Sequence, residues 1–423
     1  MLNKLKPKSE FSRNVLTLMT GTTIAQAIPI AISPILTRIY TPEDFGVFAL
    51  FIAITSIFGS IANGRYELAI MLPRKDEDAI NIFALGFIIT TTISFLLLLI
   101  VLIFHDNIVN LLNNESIGVW LYFVPIAVFF TGLYNILNYF NNRQKNYKDL
   151  AKATIIKSIV TAIIQLSVGF LKVGVSGLIS GQIVSQFFAN TKLLRNIMKD
   201  KLLISKISKV KIIALAKRYK DFPKFSMWAI LANTLSTQLI NILISAFYSV
   251  ATLGFYSLVQ RLLGMPSSLI GSSIGQVFFQ QATKEKQKTG KAIKTFNSTV
   301  KKLIIIGLPS FGILFFIVED LFSFVFGEEW RIAGTYAQIV IPLFFIRFIV
   351  ATVTVVNSIF EKQKISLVWQ LSLLLFSILS IFLSNILGLV FINFLYLFMI
   401  VTFLHYIVLF FILKFVVKGK YAN

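Results

Sequence analysis

The sequence contains no cysteine and only two histidines, His105 and His405, which lie far apart in the chain. Without cysteine there can be no disulfide, no thiol nucleophile and no cysteine-ligated metal. Catalysis needs acids, bases or nucleophiles gathered in one place, and neither histidine belongs to such a cluster. These absences predict that the protein is not an enzyme and that it uses no metal and no cofactor.

Charge is also scarce: charged residues make up 14% of the chain, whereas hydrophobic residues make up 56%. Soluble domains are about 25% charged. Because a spanning helix needs about 20 apolar residues, the long apolar runs predict an all-α polytopic membrane protein with about 12 transmembrane helices. The predicted spans are residues 15–37, 47–71, 79–104, 117–140, 152–171, 174–192, 225–248, 252–282, 301–318, 336–360, 365–384 and 387–413.

The basic residues indicate how the chain is oriented. There are 40 Lys and Arg against 18 Asp and Glu, a net charge of +22. Most of the Lys and Arg residues lie before the first span or after the even-numbered spans. The other side holds Arg38, Lys172 and Arg331 among several acids. Since cytoplasmic loops carry the excess of basic residues, both termini are predicted to be cytoplasmic. The charge therefore reflects topology, and no nucleic-acid partner is expected.

The two halves of the chain resemble each other. Tyr40 and Gly46 follow the first predicted span, and Tyr248 and Gly254 follow the seventh with the same spacing. This predicts two parallel six-helix lobes around a central cavity, a plan known from secondary transporters. The predicted organisation is a lobe at residues 1–192, a basic cytoplasmic linker at 193–224, and a second lobe at 225–423.

Within the linker, apolar residues repeat at helical spacing between lysines: Leu203, Ile207, Val210 and Ile213. This pattern is typical of a helix that lies on an anionic inner leaflet. A solvated linker whose lysines only fix the topology explains the same pattern.

Charges inside spans are costly and mark candidate sites. Arg347 is predicted to lie about 15 Å deep, close to the middle of the bilayer, and Arg261 about 10 to 15 Å deep. Arg65 and Glu67 fall late in the second span, where two positions on one helix would point in different directions. Glu67 is the candidate for coupling to a proton or a sodium ion. Lys157 and Arg38 lie near span ends, where such side chains usually extend to the interface.

The predicted substrate-binding residues are Arg347, Arg261 and Arg65. They favour an anionic cargo, because the planar guanidinium binds phosphate oxygens in pairs. Gln26, Asn233 and Gln238 are secondary polar candidates. Prolines bend spanning helices, so we expect hinges at the prolines and glycine listed here: Pro29, Pro34, Gly264 and Pro266. The pair Gly177 and Gly181 is predicted to allow close helix packing.

The segment from Leu36 to Phe48 contains Tyr40-Thr-Pro-Glu-Asp-Phe-Gly46 and is followed by Arg65-Tyr-Glu67. It resembles the N-terminal region of bacterial polysaccharide flippases, the Wzx-like members of the multidrug/oligosaccharidyl-lipid/polysaccharide exporter superfamily. The resemblance implies movement of an undecaprenyl-diphosphate-linked oligosaccharide across the bacterial cytoplasmic membrane by alternating access, for O-antigen, capsule or a similar polymer. It also implies that a polysaccharide polymerase and a chain-length regulator are partner proteins.

Two alternatives remain open at this point. An ion-coupled exporter of drugs or small cations in the same superfamily would have the same number of spans, but it should have more buried carboxylates than arginines. A scaffold of a polymer assembly complex is favoured only if Arg65, Arg261 and Arg347 can all be replaced without loss.

Overall fold

The computed structural model describes residues 10–266 and 270–419, and in that part of the chain every regular element is a helix. Lys4, Lys6, Lys8 and Lys420, which contribute to the predicted topology, lie outside the described residues. The chain divides into two compact units, Met1–Thr234 and Leu235–Asn423. The division falls within the helix Met227–Phe247.

The helices of the first unit are α1 (Glu10–Ala31), α2 (Ser33–Ile39), α3 (Pro42–Ile61), α4 (Tyr66–Ala69), α5 (Asp76–Leu112), α6 (Gly118–Leu121), α7 (Val124–Arg143), α8 (Tyr147–Gly169), α9 (Ser176–Met198), α10 (Lys201–Ile204) and α11 (Lys209–Arg218). A 3-10 turn at Glu115–Ile117 precedes α6, and a π-helical turn at Phe222–Ser226 leads into α12 (Met227–Phe247).

The second unit contains α13 (Val250–Pro266), α14 (Ser272–Thr289), α15 (Ile293–Phe326), α16 (Arg331–Val353), α17 (Val356–Ile359), α18 (Gln363–Ile386) and α19 (Phe391–Val416). A 3-10 turn at Glu328–Trp330 joins α15 to α16.

The fold class is confirmed: the protein is all-helical and crosses the membrane many times. Among the described residues, nine helices are long and apolar enough to span, or ten if the bent pair Glu115–Leu121 and Val124–Arg143 is one span. Each predicted span has at least one helix. The sixth and eighth do not meet the same standard. α9 carries many polar residues, and the described helices of the eighth span are α13, of 17 residues, and the polar, charged α14.

The Tyr40–Gly46 motif has a structural role in the first unit. Thr41 and Asp44 form a reciprocal capping box at the start of α3, and Pro42 occupies the first turn, where proline costs no hydrogen bond. The buried Tyr40 hydroxyl donates to the Gln165 carbonyl of α8 at 2.6 Å. The motif thus begins one spanning helix and fixes it to another.

The linker region is packed against the first unit. The Lys211 Nζ lies 2.9 Å from a Glu77 carboxylate oxygen at the start of α5, and the Ser208 backbone amide donates to Asn81 Oδ1 at 2.8 Å. Leu215 joins a buried core with residues of α4, α5, α7, α8 and α9. The helical pattern predicted for this region therefore appears as two short helices, α10 and α11, with one side held by the protein.

Candidate functional site

The second unit contains a polar cavity of about 310 Å³. It is bounded by α12, α13, α16, α18 and α19, which contribute hydroxyl, amide and aromatic side chains. The lining residues are Ser236, Thr237, Gln238, Ile240, Asn241, Tyr256, Gln260, Gly264, Leu343, Phe344, Arg347, Leu373, Ser377, Phe398, Thr402 and Tyr406. The described residues of this lining include one cation and no carboxylate.

Arg347 is that cation. It lies about four residues, roughly 5 Å along a helix axis, from the middle of the span Glu328–Ile359. The three residues that follow it on α16 are buried, whereas Arg347 is exposed and reaches the cavity. Its guanidinium is 5.9 Å from the centre of the Phe344 ring, and Tyr256 and Tyr406 line the same cavity. A charge at this depth is held where a polar cavity can solvate it.

A second cavity, of about 400 Å³, adjoins the first at Arg347 and Tyr406. Its other walls come from the end of α16, from α17 and from the start of α18 and include polar side chains: Thr354, Asn357, Ser358, Ser366, Trp369 and Gln370. Arg347 is therefore accessible from two polar spaces within the same unit.

Arg261 does not join Arg347 in the first cavity. Its neighbours Gln260 and Gly264 line that space, because residues four apart share one face of α13. Arg261 is not among the residues that line the cavity, and it is partly buried. Its role in binding stays a prediction.

The expectation for Arg65 and Glu67 was wrong in one respect. The second span ends at Ile61, and Arg65 has a left-handed backbone with φ 64°, so the two residues do not share a spanning helix. The Arg65 Nη1 lies 3.1 Å from Glu67 Oε1, and they form an ion pair. The turn between α3 and α4 makes this possible, since residues two apart on a continuous helix diverge.

Glu67 is buried, with 4% of its side chain exposed. Its Oε2 has no hydrogen-bond partner among the described residues, and Arg65 also donates to the Ser226 hydroxyl at 3.4 Å. A buried carboxylate with one free oxygen can accept a proton, and its role in coupling stays a prediction.

The secondary candidates are dispersed. Lys157 lies in α8 with its ammonium 5.6 Å from the centre of the Tyr134 ring, and Arg38 donates to the Pro34 carbonyl. Gln26 lies in α1 and Asn233 in α12. Gln238 lines the first cavity and accepts a hydrogen bond from Asn241.

The predicted hinge residues lie in α1, α2 and α13. The chain is interrupted between α1 and α2, after Pro29 and before Pro34. Gly264 and Pro266 lie at the end of α13. Whether these positions move during transport stays a prediction.

Sequence reasoning missed several cavity residues, among them Tyr256, Gln260, Thr402 and Tyr406. Their spacing carried a signal: both pairs are four residues apart, as expected for one face of a helix. Isolated polar residues in spans also mediate ordinary helix packing, so this spacing alone did not indicate a cavity.

Comparison with known proteins gives the family. A family model described as "Polysaccharide biosynthesis protein" matches residues 35–335. The chain belongs to this family. The succinoglycan biosynthesis transport protein ExoT of Rhizobium meliloti (strain 1021) is 21% identical over 310 residues, which is 71% of this chain and 59% of that relative. The chain thus spans less than two thirds of the length of that relative.

Solved structures show the same fold for this member of the polysaccharide biosynthesis family. The lipid II flippase MurJ, in an inward closed conformation, matches with a TM-score of 0.72 and 14% identity, over 94% of this chain and 87% of MurJ. An inward-facing multidrug resistance transporter of the MATE family, in the MOP superfamily, matches with a TM-score of 0.70 and 12% identity, over 96% of both chains. The predicted family resemblance and transporter fold are confirmed.

Proposed function

We propose that the protein is a flippase that moves an undecaprenyl-diphosphate-linked oligosaccharide from the inner to the outer leaflet of the bacterial cytoplasmic membrane by alternating access, for surface polysaccharide synthesis. The observation that carries this proposal is Arg347, a midspan guanidinium in a polar cavity whose described lining has no carboxylate. A guanidinium pairs well with phosphate oxygens in a partly desolvated site. The family and the transporter fold are consistent with it.

Arg347 would bind the diphosphate, and the amide and hydroxyl groups of the cavity would meet the sugar. Glu67 would take up and release the coupling ion, a proton or a sodium ion, and Arg65 would hold its carboxylate in place. Arg261 would act as a further cation for the substrate. A polymerase and a chain-length regulator would use the product.

The test is a reconstitution in liposomes that contain undecaprenyl-diphosphate oligosaccharide. Exposure of the sugar is followed with a glycosidase added outside. Charge-assisted hydrogen bonds contribute about 1.5 to 3 kcal/mol, so Arg347→Gln should slow exposure by about tenfold or more. Arg347→Lys should be intermediate, because lysine keeps the charge but lacks the planar fork.

The matched control is Arg195→Gln, which removes an exposed arginine at the end of α9 and should transport like the unsubstituted protein. Exposure that survives Arg347→Gln at full rate would refute the proposed anion site. If the unsubstituted protein exposes no sugar but takes up a cationic dye, the exporter alternative is correct. Retained transport after replacement of Arg65, Arg261 and Arg347 together would also refute all three proposed roles.

A further inference from the structure

The helix α11, Lys209–Arg218, has two different sides. Leu215 is buried, and Lys211, Ile212 and Ala216 are partly buried against the first unit. On the opposite side, three apolar residues are exposed between cations at the two ends of the helix: Lys209, Val210, Ile213, Ala214, Lys217 and Arg218. Val210 leaves 77% of its surface exposed and Ile213 leaves 46%.

The exposed side has a fixed direction, because the other side is held by specific bonds. Lys211 pairs with Glu77, the Ser208 amide bonds to Asn81, and the Tyr66 hydroxyl donates to the Ala216 carbonyl at 3.0 Å. These three partners lie on α4 and α5. The helix therefore cannot turn its apolar residues inward without breaking its contacts with the unit.

The charge around this side is of one sign. Lys209, Lys217 and Arg218 flank the apolar residues, and the described residues of the exposed side include no acid. Leu202 on α10, which is 80% exposed, lies next to further lysines, Lys201 and Lys206. An apolar stripe flanked by cations complements a membrane surface of anionic lipids, where each Lys or Arg contributes about 1 kcal/mol.

We propose that the exposed side of α11 binds the anionic lipid surface of the leaflet next to it, with Val210 and Ile213 inserted among the headgroups. Lys209, Lys217 and Arg218 contact the lipid phosphates. The ligand class is an anionic phospholipid in a bilayer. This inference does not depend on which cargo the protein moves.

The absence of native cysteine permits a clean test. Val210→Cys is labelled with an environment-sensitive fluorophore in the otherwise unsubstituted full chain, and the protein is placed in nanodiscs of phosphatidylcholine with increasing phosphatidylglycerol. We expect the emission to shift to shorter wavelength as phosphatidylglycerol increases, and the shift to shrink at high salt, which screens the attraction. A label at Lys288→Cys, an exposed position in the second unit, is the control and should not shift.

The charge-removal variant is Lys209→Gln/Lys217→Gln/Arg218→Gln in the labelled protein. It should raise the phosphatidylglycerol fraction needed for half of the shift by about fivefold or more. Lys284→Gln/Lys288→Gln/Lys291→Gln removes the same charge from the second unit and should leave it unchanged. If the triple variant of α11 does not fold, the salt titration of the labelled protein still decides.

Two results would overturn the proposal. Emission typical of water at every lipid composition would show that α11 is a solvated linker. An equal shift in pure phosphatidylcholine, insensitive to salt, would show apolar insertion without recognition of anionic lipid.

Discussion

The contact between Gly177 and Tyr40 allows a quantitative prediction. A Cβ atom at Gly177 would lie 2.0 Å from the Tyr40 hydroxyl oxygen, 3.1 Å from Val168 Cβ and 3.2 Å from the Gly169 nitrogen. The first distance is impossible without movement, and the other two are only tight. Gly177→Ala must therefore push the hydroxyl away from the Gln165 carbonyl, to which it donates at 2.6 Å.

The expected cost follows from these contacts. Overpacking costs about 1 to 3 kcal/mol, and the buried hydroxyl and carbonyl left without each other cost a further 1 to 3 kcal/mol or so. The helix preference of alanine over glycine returns about 1 kcal/mol. Gly177→Ala should thus lower the free energy of unfolding by about 1 to 5 kcal/mol, whereas Tyr40→Phe alone should cost about 1 kcal/mol.

In the Tyr40→Phe background the obstructing oxygen is gone, so adding Gly177→Ala should cost less than about 1 kcal/mol. The four proteins are compared by unfolding in mixed micelles of SDS and dodecyl maltoside. Gly312→Ala is the control, since among the described residues no atom outside its own stretch of α15 lies within 4 Å of its Cβ position, and it should be neutral or slightly stabilising. An equal cost of Gly177→Ala in both backgrounds, within about 0.5 kcal/mol, would refute the role of the hydroxyl.

Three further predictions use the same unfolding measurement. Asn63→Ala should cost about 2 to 3 kcal/mol, because its buried amide donates to groups on α5 and α7; a cost below about 0.5 kcal/mol would contradict this. Arg65→Ala should destabilise more than Glu67→Gln, since a buried carboxylate left unpaired costs about 3 to 5 kcal/mol, and equal losses would disprove the asymmetry. Burial raises the pKa of Glu285, but hydrogen bonds from Thr295 and two backbone amides outweigh it and hold the pKa below the ordinary 4.5. Its stabilising effect is therefore present above about pH 4.5 and lost as the pH falls, and Glu285→Gln should remove that part of the acid sensitivity.

The spanning helices could be predicted from the sequence because a membrane imposes a simple rule. A run of about 20 apolar residues has few alternatives to a helix in lipid. Every predicted span contains helix, and all but the sixth and eighth contain a helix, or a bent helix pair, long and apolar enough to cross the membrane. Arg347 could be found for a related reason, since a charge so deep in a span needs a polar space to solvate it. Both inferences use composition and depth alone.

The turn at Arg65 could have been predicted and was not. The preceding Asn63-Gly64 pair is a strong turn signal, and Gly64 indeed has a positive φ of 57°. Apolar residues on both sides of this pair extend the predicted span to residue 71, beyond the turn. The ion pair with Glu67 follows from the turn, and neither is visible from helical spacing.

The attachment of α11 could not be predicted, because its partners are distant in the sequence. Lys211 and Glu77 are 134 residues apart, and Asn81 and Ser208 are 127 apart. The repeat of apolar residues gives a helix but does not say which residues meet the protein. The structure shows which side packs on the protein: Leu215 contacts the core, whereas Val210 is exposed.

The charge of the cavity distinguishes an anionic cargo from a cationic one, whereas the fold does not distinguish them. The same fold is found in a lipid II flippase and in a multidrug resistance transporter, so it is compatible with either kind of cargo. Two unit charges 4 Å apart interact by about 4 kcal/mol at an effective dielectric constant of about 20. Beside Arg347, this energy opposes a cation and favours a phosphate, and the described lining of the cavity offers no carboxylate to compensate it. The charge of this one residue therefore supports the anionic cargo of the proposed function over a cationic drug, by an argument that does not use the family to which the chain belongs.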